Sequence, residues 1–240
     1  QAFVDMGGYS DESLWADLTF DEAGEVHTLH EALARFVDAT GRPGPVGWQF
    51  AQFPEGEQDF PVTGISWFEA SAYAKFAGGA LPTAAHWNRA AREYQEVLST
   101  FSGAVVAQSN FSDHLQPVTE STAVGAFGIR DMAGNAREWV RNAMVDGYAT
   151  LGGSHLDPGY MFIFNAPVAP WQRDGLTGFR TIVSLGKDDP YLERPIHSFG
   201  EPRDFSPVGD DVFQILETQF GYTPATPKVT IREVASPSRR

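Results

Sequence analysis

Cysteine is absent from the 240 residues of this chain. That excludes disulfides, zinc–thiolate and iron–sulfur centres and any thiolate nucleophile. It leaves the redox compartment open, because a cysteine-free chain suits oxidising and reducing surroundings alike. Long apolar runs are also missing: no window approaches the roughly 18 to 20 apolar residues of a membrane-spanning helix. The opening Gln1-Ala2-Phe3-Val4-Asp5 has neither an initiator Met nor a basic-then-apolar leader, and reads as the start of a piece cut from a longer protein. Basic charge is scarce, with 17 Lys and Arg against 31 Asp and Glu and a net charge of -14. The deficit is concentrated in residues 1–60, where twelve acidic side chains face two basic ones; residues 61–185 hold ten against eight. Such a surface repels phosphate backbones and anionic lipid, so nucleic-acid and membrane binding are disfavoured, and solubility is the plainest use of the acidity. G-x-S-x-G, H-E-x-x-H, P-loop and G-x-G-x-x-G signatures are missing too.

What is present is material for a core: 42% of residues are hydrophobic and 13% aromatic, enough for one sizeable domain plus an appendage. Three helices are predicted from caps and period. Thr28-Leu29-His30-Glu31 is a capping box leading into Leu33, Phe36 and Val37 and ending near Gly41. Ser66-Trp67-Phe68-Glu69 is a second, continued by Ala70, Tyr73, Ala74 and Ala77 and stopped at Gly78-Gly79. Thr83 caps a third, with Trp87, Ala90, Ala91 and Tyr94 on its buried side. Beyond residue 100, short apolar segments broken by Gly, Pro, Ser and Asn predict strands over 127–132, 138–140, 148–151 and 179–185. Residues 186–209 read as linker, and Asp210 or Asp211 caps a short helix through Val212, Phe213, Leu216 and Phe220.

Two groups of polar residues invite a chemical reading. His27 and His30 lie three apart on the first predicted helix, but two ligands do not make a metal site, and ordinary helix residues are the simpler reading. In Phe127-Gly128-Ile129-Arg130-Asp131-Met132-Ala133-Gly134-Asn135-Ala136-Arg137-Glu138-Trp139, two carboxylates seven apart flank a Gly-Asn turn. Hard oxygens of this kind suit calcium. The same spacing also suits a β-turn in which Asn135 takes a left-handed backbone and Glu138 faces solvent.

That stretch is one of five ordered blocks. Pro61-Val62-Thr63-Gly64-Ile65-Ser66-Trp67-Phe68-Glu69-Ala70 comes first, then Ala77-Gly78-Gly79-Ala80-Leu81-Pro82-Thr83-Ala84-Ala85-His86-Trp87 with Ala90-Ala91-Arg92. The Asp131-to-Trp139 segment follows, then Leu151-Gly152-Gly153-Ser154, and finally Gly178-Phe179-Arg180. In order and spacing these blocks resemble the sulfatase-modifying-factor family, the formylglycine-generating-enzyme-like domains. The resemblance implies an α+β, loop-rich, C-type-lectin-like fold with short strands and about three helices over residues 1–185, its first strands lying upstream of Gln1. Residues 186–240 would then be a linker and short helix leading to another domain. It implies a calcium loop using the side chains of Asp131 and Glu138 and the carbonyls of Gly134 and Ala136. A second calcium site would begin at Asn110 and the carbonyl of Phe111, with Asp113 as its candidate acid. Trp67, Trp87, Trp139, Phe179 and Arg180 read as core and core-anchoring residues.

The family's enzymes hold Cu(I) between two cysteines shortly after Gly-Gly-Ser, since soft thiolates select that ion. Asp157 and Phe162 stand at those positions, so copper and formylglycine generation are not expected. Ser154, His155 and Asp157 are close in sequence, yet neighbours on a strand point to opposite faces, and adjacency alone gives no hydrolytic geometry. The run from Tyr9-Ser10-Asp11 and Trp15 through Thr40-Gly41-Arg42-Pro43-Gly44-Pro45 to Pro54-Glu55-Gly56 resembles the bacterial subgroup joined to an upstream serine/threonine kinase. Residues 201–222 resemble that subgroup's connector to a downstream α/β-hydrolase-like domain, and a membrane-anchored kinase would make the module extracytoplasmic. The expected function is therefore a non-catalytic binding or sensing module for a small-molecule or peptide ligand, with a pocket near Ser154, His155, Asp157, Phe162 and Trp171. An oxidoreductase completed by a partner domain and a structural spacer are the alternatives.

Overall fold

Both capping boxes form. Glu31 N donates to Thr28 Oγ1 while Thr28 N donates to the Glu31 carboxylate, and Ser66 and Glu69 make the same reciprocal pair. They open two of the helices in a computed structural model that describes residues 1–91, 107–123 and 128–184. The order along the chain is α1 (Ala2–Asp5), a 3-10 turn (Glu12–Leu14), β1 (Phe20–Glu22), β2 (Glu25–His27), α2 (Leu29–Arg35), α3 (Trp67–Phe76) and α4 (Ala84–Ala91). Then come β3 (Arg137–Met144), β4 (Gly147–Leu151), a 3-10 helix (Gly159–Ile163), β5 (Ala166–Val168) and β6 (Thr177–Phe179). Helices occupy the first half and the main sheet the second, which is the segregation of an α+β fold. Among the described residues no helix is long and apolar enough to cross a membrane. Tyr94, Arg92, Phe127, Leu185 and everything expected over 186–240 lie outside the described residues.

Most of α3 is buried, with Trp67, Phe68, Glu69, Ala70, Ala72 and Ala74 shielded from solvent and Lys75 exposed near its end, as befits a helix that is apolar over most of its surface. Its end is set by Gly78 at φ +76, with Gly78 N donating to Lys75 O and Gly79 N to Ala74 O. This is the paired closure that a left-handed residue after the cap makes possible. Around α3 gather Phe3, Trp15, Phe20, Phe36 and Trp139, each removing on the order of 150–250 Å² from water.

The main sheet has the order β5-β4-β3-β6, antiparallel between β3 and β4 and between β4 and β5, and parallel between β3 and β6. Side chains alternate across β3. Trp139 enters the aromatic core around α3, whereas Val140 enters a second cluster with Ala149, Leu151, Met132 and, from α4, Ala84 and Trp87. By the same alternation Glu138 shares the α4 side with Val140, opposite Leu151 in the β3–β4 register.

Several details differ from the sequence expectation: α2 ends at Arg35, short of Phe36, Val37 and Gly41, and the last strand covers Thr177–Phe179 rather than 179–185. Residues 20–27 form an antiparallel hairpin that was not anticipated, with Ala23 and Gly24 at φ +54 and +90. That turn matches strand twist, but Asp21, Glu22 and Glu25 mask the apolar alternation. His27 consequently lies on β2 rather than on a helix with His30. Residues 128–132 are irregular rather than a strand, while β3 extends to Met144, beyond the three residues expected.

Candidate functional site

The segment after Gly152-Gly153, where the resemblance puts the family's chemistry, is closed by its own hydrogen bonds. Ser154 N and Oγ donate to Asp157 Oδ2 at 2.7 and 2.9 Å, and Arg137 Nη2 lies 3.3 Å from the same oxygen. Asp157 is thus a turn-forming carboxylate neutralised by an arginine of β3. The adjoining space, bordered by Arg137, Thr150, Gly153, Met161 and Phe164, is about 30 Å³, room for roughly one water. Ser154 donates its proton to Asp157 and has no base, so the Ser154, His155, Asp157 trio is not a hydrolytic arrangement.

His155 turns the other way. Its buried ring places Nδ1 2.9 Å from Asn135 O, and its backbone N–H donates to the same oxygen at 2.8 Å. A carbonyl only accepts, so the ring proton sits on Nδ1. Asn135 itself is a junction: its Oδ1 accepts from Asn110 Nδ2 and Gln116 N, its Nδ2 donates to Gln116 O, and its backbone N–H donates to Asn110 O. Its φ of +61 is the left-handed conformation that one reading of the loop required. Gly134 before it, at φ +73, runs so close to the Asn110 carbonyl that a Cβ would collide with it.

The same reading placed Glu138 at the solvent, and here it is corrected: Glu138 is buried. Trp87 Nε1 and Arg180 Nε donate to its Oε2 at 2.7 and 2.6 Å, and Arg180 Nη2 donates to Oε1 at 2.6 Å. Arg180 Nη2 also reaches the carbonyls of Arg130 and Asp131 at 3.2 and 3.4 Å. Burial by itself would lower the Arg180 pKa, but the Glu138 charge and hydrogen bonds prevail and hold it above the ordinary value. Asp131 sits at φ +55 with Oδ2 buried and unpartnered, and burial pushes its carboxyl pKa up.

This arrangement does not fit the calcium loop expected from Asp131, Gly134, Ala136 and Glu138, because a guanidinium already engages both Glu138 oxygens. At the second expected site Asn110 Oδ1 accepts from Ser112 N and Oγ, and Asp113 pairs at the surface with His114 Nδ1. Among the described residues no group of three or more His, Asp or Glu side chains could hold a metal ion.

The pocket expected from Ser154 to Trp171 does not form as one site. Trp171 belongs to the aromatic core: its Nε1 donates to Asp21 O at 2.7 Å, its ring centroid is 4.8 Å from that of Phe68, and the Arg35 guanidinium covers it at 4.0 Å. Phe162 lies half-buried on the 3-10 helix. The larger cavity is elsewhere, about 300 Å³ between α1, α3 and the end of β6, walled by Phe3, Tyr9, Trp48, Tyr73 and Phe179 with Val62 at its edge. Its polar wall includes Glu69, 2% exposed, which accepts from Tyr9 OH at 2.8 Å and from Ser66 N, and pairs with Arg173 Nε at 2.9 Å. Burial raises the pKa of both Glu69 and Tyr9. Reading the sequence missed this group because a carboxylate three residues after a cap is normally at the surface. The signal against that is α3 itself, apolar over most of its surface.

A mixed domain with buried, capped helices ahead of a short-stranded sheet, its loops stitched by Asn135 and its last strand closed by Gly178-Phe179-Arg180, defines a formylglycine-generating-enzyme-like fold. Residues 1–185 match the sulfatase-modifying factor enzyme 1-like domain, and the chain belongs to that family. It is 35% identical over 89 residues to serine/threonine-protein kinase pkn1 of Chlamydia pneumoniae, covering 36% of this chain and 14% of the kinase. Over 92 residues it is 35% identical to hercynine oxygenase of Mycobacterium tuberculosis, covering 38% of this chain and 20% of the oxygenase. Among solved structures, CarF aligns at 22% identity over 53% of this chain and 69% of its own, with a TM-score of 0.44. The chain thus spans a fifth or less of the length of the two curated relatives named.

Proposed function

We propose that this domain is a non-catalytic binding module of the sulfatase-modifying-factor family, serving a larger bacterial protein and lacking formylglycine-generating activity. The observation that supports it most directly is the state of Asp157. At a position where the resemblance calls for a copper thiolate, a carboxylate is tied down by Ser154 and Arg137, with space for little more than a water beside it. An oxygen ligand already neutralised by an arginine neither selects Cu(I) nor activates oxygen. The similarity to pkn1 supports a place beside a kinase domain.

The binding site of this module is the aromatic cavity beside α3. Its volume is in the usual range for small ligands, and its rings favour an apolar or aromatic molecule, or a peptide side chain of that kind. Val62 lies at its edge and is half-exposed, so Val62→Phe fills the cavity from outside without disturbing the core. A thermal-shift screen of small aromatic compounds should give hits on the parent chain that Val62→Phe loses. Turnover of a cysteine peptide to an aldehyde with Cu(I) would sink the proposal, as would a screen whose hits are indifferent to Val62→Phe.

A second reading draws on the similarity to hercynine oxygenase: an oxidoreductase whose metal ligands come from outside this stretch. Oxygen uptake with Fe(II) by the full-length protein, lost when the segments flanking this domain are deleted, would establish it in place of the first.

A further inference from the structure

We propose that the aromatic cavity beside α3 selects uncharged ligands that carry a carbonyl oxygen, and that the indole N–H of Trp48 is the group that selects them. The inference rests on the reading of that cavity as the binding site and names what the site would take. The chain has six tryptophans. Five of them donate their indole N–H within the fold: Trp15 to Gly8 O, Trp67 to Val140 O, Trp87 to Glu138, Trp139 to Ile65 O and Trp171 to Asp21 O. Trp48 is the exception. It lines the cavity and is only 7% exposed, yet its N–H has no acceptor among the described residues. Nor is that nitrogen among the polar atoms sealed away without a partner, so it stays open to the space its ring borders.

An indole nitrogen only donates. Water can meet it until a ligand displaces that water, and a ligand without an acceptor then strands the donor, which disfavours binding. Tyr73 also lines the cavity, but a hydroxyl donates or accepts and so tolerates either kind of ligand. The acceptor must be uncharged because the nearby cations are spent. Arg173 pairs with Glu69, and Arg180 engages both oxygens of Glu138. A carboxylate would therefore be buried near Glu69 with no counter-charge. An ammonium would set donors against a donor, and the Glu69 oxygens it needs already accept from Tyr9, Ser66 and Arg173. What remains is a neutral carbonyl compound with an apolar or aromatic body.

Acetophenone, α-methylstyrene and benzoate share one shape and present, in turn, a neutral acceptor, no acceptor and an anion. Titrated into the full chain and followed by NMR of the indole N–H resonances, acetophenone should bind about fivefold more tightly than α-methylstyrene, and benzoate should bind most weakly. Trp48→Phe keeps an aromatic ring and should erase the preference for the ketone. Equal affinities for the first two compounds, a preference that survives Trp48→Phe, or tighter binding of benzoate overturns the inference and leaves the cavity as a site. The absence of any binding that Val62→Phe abolishes overturns the cavity reading and this inference with it. Where Trp48→Phe does not fold, the parent chain decides. A downfield shift of the Trp48 indole proton with acetophenone, and none with α-methylstyrene, is expected; the same shift with both overturns the inference.

Discussion

Two glutamate–arginine pairs are built alike and differ in one respect that matters. Arg173 bonds Glu69 and the carbonyls of Arg35, Val37 and Gly44; Arg180 bonds Glu138 and the carbonyls of Arg130 and Asp131. In each case a guanidinium staples a glutamate of a core element to the backbone of an irregular loop, which suits its planar array of donors. The first pair is sealed, its side chains 10% and 2% exposed, and it contains a single carboxylate. The second is more open, its arginine 26% exposed, and has Asp131 as a further negative charge. A sealed, balanced pair does one thing, holding the fold. A partly open pair with surplus negative charge should hold it less tightly.

That contrast can be broken experimentally, and the largest effect should come from the sealed side. Arg173→Met strands a buried Glu69 and should cost about 3–5 kcal/mol in denaturant unfolding. Arg180→Met should cost less, about 2 kcal/mol, because the Glu138 carboxylate is closer to water. Equal losses for the two would erase the distinction between the pairs. Ser66→Ala removes the cap that also positions Glu69 and should cost about 1–2 kcal/mol, whereas Thr28→Ala, at the exposed start of α2, should cost at most half that.

The smallest effect is a tilt with pH. Burial raises the Glu69 pKa above its ordinary 4.5, so the folded state holds that proton more tightly than the unfolded chain. The resulting stabilisation is complete below about 4.5 and is lost as pH rises through the folded pKa. Asp38 tilts oppositely. Burial would raise its pKa, but hydrogen bonds from Ala51 N, Thr40 Oγ1, Arg42 N and Thr40 N prevail and bring it down to about 2 from 3.8. Its stabilisation is present above 3.8 and is lost as pH falls toward 2. Asp38→Asn should flatten the acid limb of a Tm-against-pH curve and leave the limb above pH 4.5 intact; a change confined to the upper limb would reverse the assignment.

Local signals in the sequence were legible wherever a few adjacent residues determine the outcome. Ser66 with Glu69, Thr28 with Glu31, and Gly78 closing α3 all act within one helical turn, so each is legible beside its partner. The family blocks are equally plain. What spacing could not supply was the direction of a side chain across the sheet. Spacing alone leaves Glu138 to a metal or to solvent, because its partners, Trp87 and Arg180, are 51 and 42 positions away along the chain. Trp171 was grouped with Ser154 from proximity in sequence, yet between them the chain runs through β5 and returns to Phe20, Phe36 and Phe68. The 20–27 hairpin stayed hidden because its exposed face is acidic and its turn begins with alanine rather than asparagine.

β3 works as a dividing wall with a differently furnished room on each side: an indole on one, an isopropyl and a carboxylate on the other. Inserting or deleting one residue between positions 137 and 140 would swap those furnishings and spoil both rooms together. Past Met144 the hairpin tip, where Val145 is 92% exposed, meets no such demand. Variation in length should accumulate at that tip and be refused a few residues earlier.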